Sequence, residues 1–236
     1  ASIHRAWRPA AAVLAEKQLA RSEGKIVAIA SSRERGRTTC ERGPPMPVAY
    51  LKNQPWSRWS REERLFCAVL FEYARRDPTE FAHWLVAAAS LQVESSDVWD
   101  VGFEVCFYRD YLWQTNRFAR AEGFPIKRTF DLCLFSERSI IIVEAKVCEP
   151  FDADQNRDLA KDKELIQRVV DLDGLQVRTV ALASSSYFAN AKEYGWPDTL
   201  TVFDGRITWE QVAKKYPDAL LAQADIMYKA KPGHLL

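Results

Sequence analysis

Histidine, paired cysteine and long hydrophobic runs are scarce in this sequence of 236 residues. The three histidines are far apart and none of the five cysteines forms a Cys-x-x-Cys pair, so the sequence indicates neither a structural zinc site nor a disulfide framework. Strongly apolar runs, such as residues 140–143, are far too short to cross a bilayer, and the first residues carry no signal-peptide pattern. We therefore expect a cytoplasmic protein with buried, reduced thiols and no membrane partner.

The sequence also lacks an excess of either charge, because 33 lysine and arginine residues oppose 32 aspartate and glutamate residues. A net charge of +1 neither favours nor excludes a polyanionic partner, so any nucleic-acid surface must come from local clustering. Residues 1–55 form a basic, partly proline-rich extension, which is either a solvated arm or a segment that contacts phosphates. We assign residues 56–236 to one globular domain.

Hydrophobic periodicity divides this domain into helices and strands. Ser60 and Glu63 predict a capping box at the start of an amphipathic helix, and a second apolar helix follows at 80–89. Changes of period then predict strands at 101–113, 129–135, 139–147 and 177–183, and a helix that opens at 152–154. In the tail we expect a strand at 200–203, a turn at Asp204-Gly205, and helices at 208–216 and 219–229. The core order is αβββαβ, which is typical of the α/β class.

The strands 129–135 and 139–147 bring three chemically active side chains together. If the strands form a hairpin whose link is centred between Glu137 and Arg138, Asp131 lies opposite Glu144, with Cβ atoms about 5 Å apart. The two-residue period of a strand places Lys146 on the same face as Glu144.

This pairing carries an electrostatic conflict. Opposed carboxylates destabilise a sheet, and in apolar surroundings one of them stays protonated unless a cation intervenes. A divalent metal with oxygen ligands removes the conflict, and a neighbouring lysine can orient water or stabilise the charge that develops during phosphoryl transfer. A bare Glu-x-Lys is common on solvated strands, so the interpretation depends on the aspartate, the apolar run before the glutamate and the matched register together.

Phe130-Asp131, followed a dozen residues later by Glu144-Ala145-Lys146, resembles the signature of the PD-(D/E)xK nuclease superfamily, with phenylalanine in place of the motif's proline. The resemblance covers residues 60–185 and implies a restriction-endonuclease-like core, a mixed central sheet flanked by helices. It implies Mg²⁺ as cofactor, with Mn²⁺ as a substitute, and hydrolysis of DNA, with RNA not excluded. Asp131, Glu144 and the backbone carbonyl of Ala145 would be metal ligands, and Lys146 would be the catalytic lysine.

The resemblance also points to residues outside the motif. Members commonly carry a glutamate on the first core helix, which Glu63 matches best although its capping role competes, and Glu104 in the first strand is the rival metal ligand. Gln155 stands where several branches carry a catalytic glutamine, but it could equally be the polar first turn beside an Asp154 N-cap. Lys161 either contacts phosphate or belongs to a solvated helix face.

Basic residues cluster between the first two core strands. Arg109, Lys127 and Arg128 are candidate nucleic-acid contacts, and the aromatic residues interleaved with them could stack on unpaired bases. For two of these aromatics, Trp113 and Phe118, we expect a place in the hydrophobic core instead.

Three functions are compatible with the sequence. A Mg²⁺-dependent endonuclease acting on DNA is favoured by the intact Asp131, Glu144 and Lys146. The leading alternative is a non-catalytic nucleic-acid-binding or assembly protein that keeps the nuclease fold, and the third is an unrelated α/β protein with a fortuitous Glu-x-Lys. Because a double-strand break needs two metal sites acting together, the endonuclease hypothesis favours a homodimer.

Overall fold

The computed structural model describes residue 57, residues 59–190 and residues 201–228. All of them belong to the second of the two units into which the chain divides, Pro47–Leu236. The predicted basic extension at 1–55 lies outside the described residues, as do Leu200 in the predicted strand 200–203 and Lys229 in the predicted helix 219–229.

Helices and strands alternate along this part of the chain. The helices are α1 (Glu63–Ala74), α2 (Pro78–Ala88), α3 (Phe107–Gln114), α4 (Ala153–Val170), α5 (Ser185–Asn190), α6 (Trp209–Lys215) and α7 (Ala219–Ile226). The strands are β1 (Asp100–Val105), β2 (Phe130–Phe135), β3 (Ser139–Ala145), β4 (Gln176–Ala183) and β5 (Gly205–Thr208). None of the helices in these ranges has the length and apolar character that crossing a bilayer requires.

The five strands form one mixed sheet in the order β1-β2-β3-β4-β5. The first three are antiparallel neighbours, whereas β4 runs parallel to β3 and β5 runs parallel to β4. In the β2–β3 hairpin Phe135 pairs with Ile140 and Cys133 pairs with Ile142, which confirms the predicted register. Helices flank this sheet, so the α/β class is confirmed.

Helices cover both faces of the sheet, and the buried apolar residues therefore form two clusters. One cluster joins the sheet to α1, α2, α6 and α7, and the other joins it to α3, α4 and α5. Every residue of β3 is buried, and β4 is buried continuously from Thr179 to Ala183. Central strands between two helical layers have this pattern, and the predicted strand 177–183 is apolar apart from Arg178 and Thr179.

Burial of the thiols is confirmed for two of the four described cysteines, and Cys40 lies outside the described residues. Cys67 and Cys133 are buried and free, whereas Cys106 and Cys148 are free but half-buried. Burial raises the pKa of Cys67 and of Cys133 well above the usual range for a thiol. These two cysteines are therefore unreactive core residues.

The predicted strand at 101–113 is wrong beyond Val105. β1 ends there, and the next residues form α3, whose inward side buries Phe107, Tyr108 and Leu112. Aromatic residues favour strands by propensity, but propensity is a weak guide where packing onto a sheet face offers a larger burial. The helix inserts an extra element between the first two core strands.

In the C-terminal part of the described chain, the position of the strand differs from the prediction. The last strand is β5, and Asp204-Gly205 leads into it instead of following a strand at 200–203. A Cβ at Gly205 would lie 2.5 Å from the carbonyl oxygen of Ala89, so this glycine permits close approach of two backbones. Thr208 caps the following helix through a capping box with Gln211.

Candidate active site

The start of β2 and the end of β3 lie side by side because these strands are antiparallel. Leu132 pairs with Val143, and the same register continued by one residue sets Asp131 opposite Glu144. An oxygen of the Asp131 carboxylate, Oδ2, accepts a hydrogen bond from the backbone N–H of Ala145 at 2.8 Å. The predicted pair of acids is thus held at one edge of the central hairpin.

Lys146 is fixed immediately beyond β3. Its backbone N–H donates to the carbonyl of Leu182 at 2.7 Å, and its own carbonyl accepts from the indole Nε1 of Trp209 at 3.0 Å. The side chain is only 9% exposed, and Nζ lies 3.2 Å from Oε1 of Glu63 and 3.7 Å from Oε1 of Glu144. The structure therefore places the predicted lysine between two carboxylates.

The predicted capping box at the start of α1 is wrong. The N-cap is Glu62, which makes no side-chain cap, and its backbone N–H donates to Oγ of Ser60 at 3.2 Å. The carboxylate of Glu63 accepts from Lys146 instead of returning to the backbone of the first turn. Glu63 is thus brought to the acidic cluster, while its role as a metal ligand stays a prediction.

Glu104, the rival candidate, is directed elsewhere. Its carboxylate lies 3.3 Å from Nε of the exposed Arg64. Its backbone has a φ of 51°, a left-handed value that is uncommon for a residue with a Cβ and that interrupts the regular strand. In the β1–β2 register Phe103 pairs with Leu132 and Val105 pairs with Phe130, so the backbone of Glu104 lies opposite that of Asp131 although its carboxylate pairs with Arg64.

Burial and mutual repulsion determine the protonation of the carboxyl groups. Burial raises the pKa of Glu144 to about 7, and the charge of Asp131 acts in the same direction. Burial also raises the pKa of Glu63 to about 7, although the charge of Lys146 opposes the shift. The pKa of Asp131 is raised by burial and partly lowered by the N–H of Ala145.

Lys146 keeps its positive charge in these surroundings. Burial alone would lower the pKa of its ammonium group, but Glu63, Glu144 and Asp131 together raise it above the usual value. At neutral pH the cluster therefore holds a charged lysine, and Glu63 and Glu144 are partly protonated. The repulsion between carboxylates that the sequence predicts is present, and the charge of Lys146 only partly offsets it.

One oxygen of the cluster supports binding of a divalent cation. Oε2 of Glu144 is buried and makes no hydrogen bond. A buried acceptor without a partner costs about 1–3 kcal/mol, and carboxylate and carbonyl oxygens are the ligands that Mg²⁺ and Mn²⁺ prefer. In the part of the chain that the structure describes, no three histidine, cysteine, aspartate or glutamate side chains are already gathered around a metal position. The donor types at this site fit a metal, but their side chains are arranged around Lys146.

A cavity of about 670 Å³ opens beside Glu63 and Lys146. Gln155 lines this cavity at the start of α4. The N-cap there is Asp152 and not the predicted Asp154, because Oδ1 of Asp152 accepts from the backbone N–H groups of Asp154 at 2.8 Å and Gln155 at 3.1 Å. Gln155 and Lys146 thus line the same cavity, and the role of Gln155 in positioning water or phosphate stays a prediction. Several other residues line the cavity and were not found by sequence reasoning, among them Arg61, Cys148 and Phe151.

The predicted nucleic-acid contacts have different surroundings. Arg109 and Lys127 are exposed, and Arg109 pairs with the neighbouring Asp110 at 2.7 Å. Lys161 is exposed and pairs within α4, as a solvated helix face would. Arg128 is half-buried and bound inside the protein. Any role of these four in binding nucleic acid stays a prediction.

A buried network holds Arg128. Asp162 of α4 accepts a hydrogen bond from the hydroxyl of Tyr108 at 2.6 Å and pairs with Nε of Arg128 at 2.7 Å. The guanidinium group also lies over the ring of Phe130, with 5.2 Å from Cζ to the ring centroid. The network ties α3 and α4 to the chain just before Asp131.

Sequence reasoning missed this network, although a signal was present. Asp162 falls within the helical spacing of the buried residues of α4, where an apolar residue is the rule. A carboxylate at a buried position needs a partner of opposite charge. The position of Asp162 in this spacing therefore predicts a cation in contact with it. The buried stripe consists of Asn156, Leu159, Asp162, Ile166 and Val169.

The expected burial of Trp113 and Phe118 is wrong. Trp113 is 67% exposed and Phe118 is 62% exposed. α3 turns Tyr108 and Leu112 toward the sheet, so Trp113 lies on its outer side.

No protein-family model matches this chain, and no curated protein or solved structure matches it either. The resemblance to PD-(D/E)xK nucleases therefore stays a prediction. The geometry of the acidic cluster is the observation that bears on function.

Proposed function

We propose that this protein is a metal-dependent nuclease that hydrolyses phosphodiester bonds of DNA. The observation that carries the proposal is the meeting of Asp131, Glu144 and Lys146 at adjacent strand ends, with one buried oxygen of Glu144 left without a partner. Buried carboxyl groups that repel one another are costly to a fold, and they are a common feature of sites that bind a divalent cation.

The topology supports a restriction-endonuclease-like core. The antiparallel neighbours β1, β2 and β3 are followed by α4 and by β4, which is parallel to β3. The acids stand on the β2–β3 hairpin, where the family resemblance expects them. This finer assignment of the fold is part of the proposal.

In the proposed reaction, Asp131, Glu144 and the carbonyl of Ala145 would hold Mg²⁺, for which Mn²⁺ would substitute. The chemistry supplied by a bound ion would be polarisation of the phosphate and a lower pKa of water. Lys146 donates a hydrogen bond to the attacking water or to a phosphate oxygen, and its charge stabilises the negative charge of the transition state. Glu63 holds the ammonium group in position at 3.2 Å.

Cleavage assays test the proposal directly. Purified protein is incubated with supercoiled plasmid, single-stranded DNA and single-stranded RNA in Mg²⁺, Mn²⁺ or EDTA. We expect cleavage in either metal and none in EDTA. Asp131→Ala and Lys146→Ala should each lower the rate by about 10²-fold or more, while circular dichroism shows an unchanged fold. Cleavage that survives both substitutions would place the active site elsewhere.

Glu63 and Glu104 provide a matched pair of variants. Glu63→Gln removes the carboxylate that holds Lys146, and we expect it to slow cleavage by about tenfold or more. Glu104→Gln removes a carboxylate that faces Arg64, and we expect a rate close to that of the unmodified protein. The reverse order would mean that the second acid is Glu104.

The same experiment separates the enzyme from the alternative function. A non-catalytic nucleic-acid-binding protein would retain DNA in EDTA and would cleave nothing in Mg²⁺ or Mn²⁺. That result would refute the proposed nuclease activity and would not affect the proposed fold assignment.

A further inference from the structure

The segment between β1 and β2 presents an exposed aromatic pair. The rings of Trp113 and Phe118 have centroids 6.1 Å apart and planes inclined at 77°. Because they meet edge to face, the edge of one ring covers only part of one face of the other, and the rings do not stack on each other. Both side chains are more than 60% exposed, which leaves two aromatic surfaces in water.

The exposed pair stands on a rigid support. Tyr108, on the inner side of α3, donates to the buried Asp162 at 2.6 Å. Arg117, between the two rings in sequence, donates from Nη1 to the carbonyl of Val169 at 2.9 Å and pairs with Glu122. The rings are therefore held by both the helix and the following loop, so little ordering is needed before they bind a flat partner.

The charge of the same segment is positive. Residues 107–128 contain five basic and two acidic side chains, although the whole chain is nearly neutral. Arg120 and Lys127 are exposed, and within the described ranges neither belongs to an ion pair. Aromatic surface beside unpaired cations matches a partner that carries both flat bases and phosphates.

We propose that Trp113 and Phe118 form a stacking platform for unpaired bases of a single-stranded nucleic acid, with Arg120 and Lys127 holding its phosphates. In a duplex the base faces are covered by their neighbours, so an exposed ring can stack only on a base that is already unpaired. The proposal rests on the proposed nuclease function in one respect, since it identifies single-stranded or partly unwound strands as the substrate class.

The platform lies close to the candidate acids along the fold. Val105, at the end of β1, pairs with Phe130, the residue before Asp131. α3 begins two residues later, and its eight residues span about 12 Å. A strand stacked on the platform therefore has a short path along α3 and the end of β1 toward the acidic cluster.

Binding measurements in EDTA test the platform without cleavage. The full chain is titrated into a fluorescein-labelled oligo-dT 20-mer, an oligo-U 20-mer and a 20-base-pair duplex, and anisotropy gives each Kd. For the double variant Trp113→Ala/Phe118→Ala we expect a Kd at least about fivefold higher for the single strands, with little change for the duplex. Comparison of the Kd values for oligo-dT and oligo-U shows whether the protein prefers DNA or RNA.

Two further variants separate stacking from charge and from general apolar surface. Arg120→Ala/Lys127→Ala should lower the slope of log K against log salt by about 1.4, as two lost phosphate contacts with a single strand would. Ile226→Ala, which removes a 60% exposed apolar side chain from α7, should leave every Kd unchanged.

Several outcomes would overturn the platform. They are an unchanged single-strand Kd in the aromatic variant, an equal loss for duplex and single strand, or no single-strand binding by the unmodified protein. Concentration-dependent self-association that disappears in the aromatic variant, with single-strand binding retained, would identify a second copy as the occupant instead. If Asp131→Ala still cleaves while the aromatic variant loses binding, the nuclease assignment of this site fails and the platform stands.

Discussion

Replacing Glu144 by glutamine should make the metal-free protein less sensitive to rising pH. The carboxyl group is buried, one of its oxygens lacks a hydrogen bond, and its pKa is raised from 4.5 to about 7. Between these two pH values the folded state binds a proton that the unfolded state has released. Stability therefore falls as the pH rises through this window, and the loss is complete above pH 7.

The size of this loss follows from the pKa. Each tenfold change in a proton equilibrium corresponds to about 1.4 kcal/mol, so a rise from 4.5 to about 7 makes a difference of about 3 kcal/mol in the free energy of unfolding. Glu63 contributes in the same direction because its pKa is also raised to about 7. Glu144→Gln should remove the contribution of Glu144 to this pH-dependent loss of stability. It should also lower the pKa of the remaining acids.

Urea denaturation in EDTA between pH 4.5 and pH 8 measures the effect. We expect the unmodified protein to lose about 3 kcal/mol more stability over this range than Glu144→Gln. Glu104→Gln, whose carboxylate pairs with the exposed Arg64 and not with Lys146, is the control and should follow the unmodified protein. Millimolar Mn²⁺ at pH 8 should restore stability to the unmodified protein and not to Glu144→Gln. Parallel pH curves for the two proteins would refute this account of the buried carboxylate.

Two other predictions concern the packing around the site. Asp162→Asn should lower the free energy of unfolding by about 3–5 kcal/mol, because Arg128 would lose its buried partner. Tyr108→Phe should lower it by only about 1 kcal/mol, because a single hydrogen bond is lost. Denaturation curves that reverse this order would contradict the network. Gly205→Ala should cost about 1–3 kcal/mol, because the new methyl group meets the carbonyl of Ala89, and a thermal melt with an unchanged midpoint would show that the two backbones separate easily.

The hairpin could be predicted from sequence because its signals are local. A polar link between two apolar strands fixes the register, and the register fixes which side chains share a face. The placement of Lys146 beside Glu144 followed from that rule, and the lysine is found 3.7 Å from the glutamate. The predicted strand 177–183 is apolar apart from Arg178 and Thr179, and β4 is buried continuously from Thr179 to Ala183.

The parts that were mispredicted depend on contacts distant in sequence. Glu63 matches the spacing of a capping box, but an ammonium group 83 residues away binds its carboxylate. The aromatic stretch of α3 reads as a strand because propensity takes no account of the sheet face on which it packs. Gly205 reads as a turn because the neighbouring backbone of Ala89 is not visible from the sequence.

The backbone contacts of Lys146 have a consequence for the smallest functional fragment. Its carbonyl is held by Trp209, which lies beyond the 60–185 region that carries the motif resemblance. A chain shortened to that region would keep every signature residue and lose the indole against which the lysine is anchored. The segment that resembles the motif is thus shorter than the segment that is needed to hold Lys146 in its position.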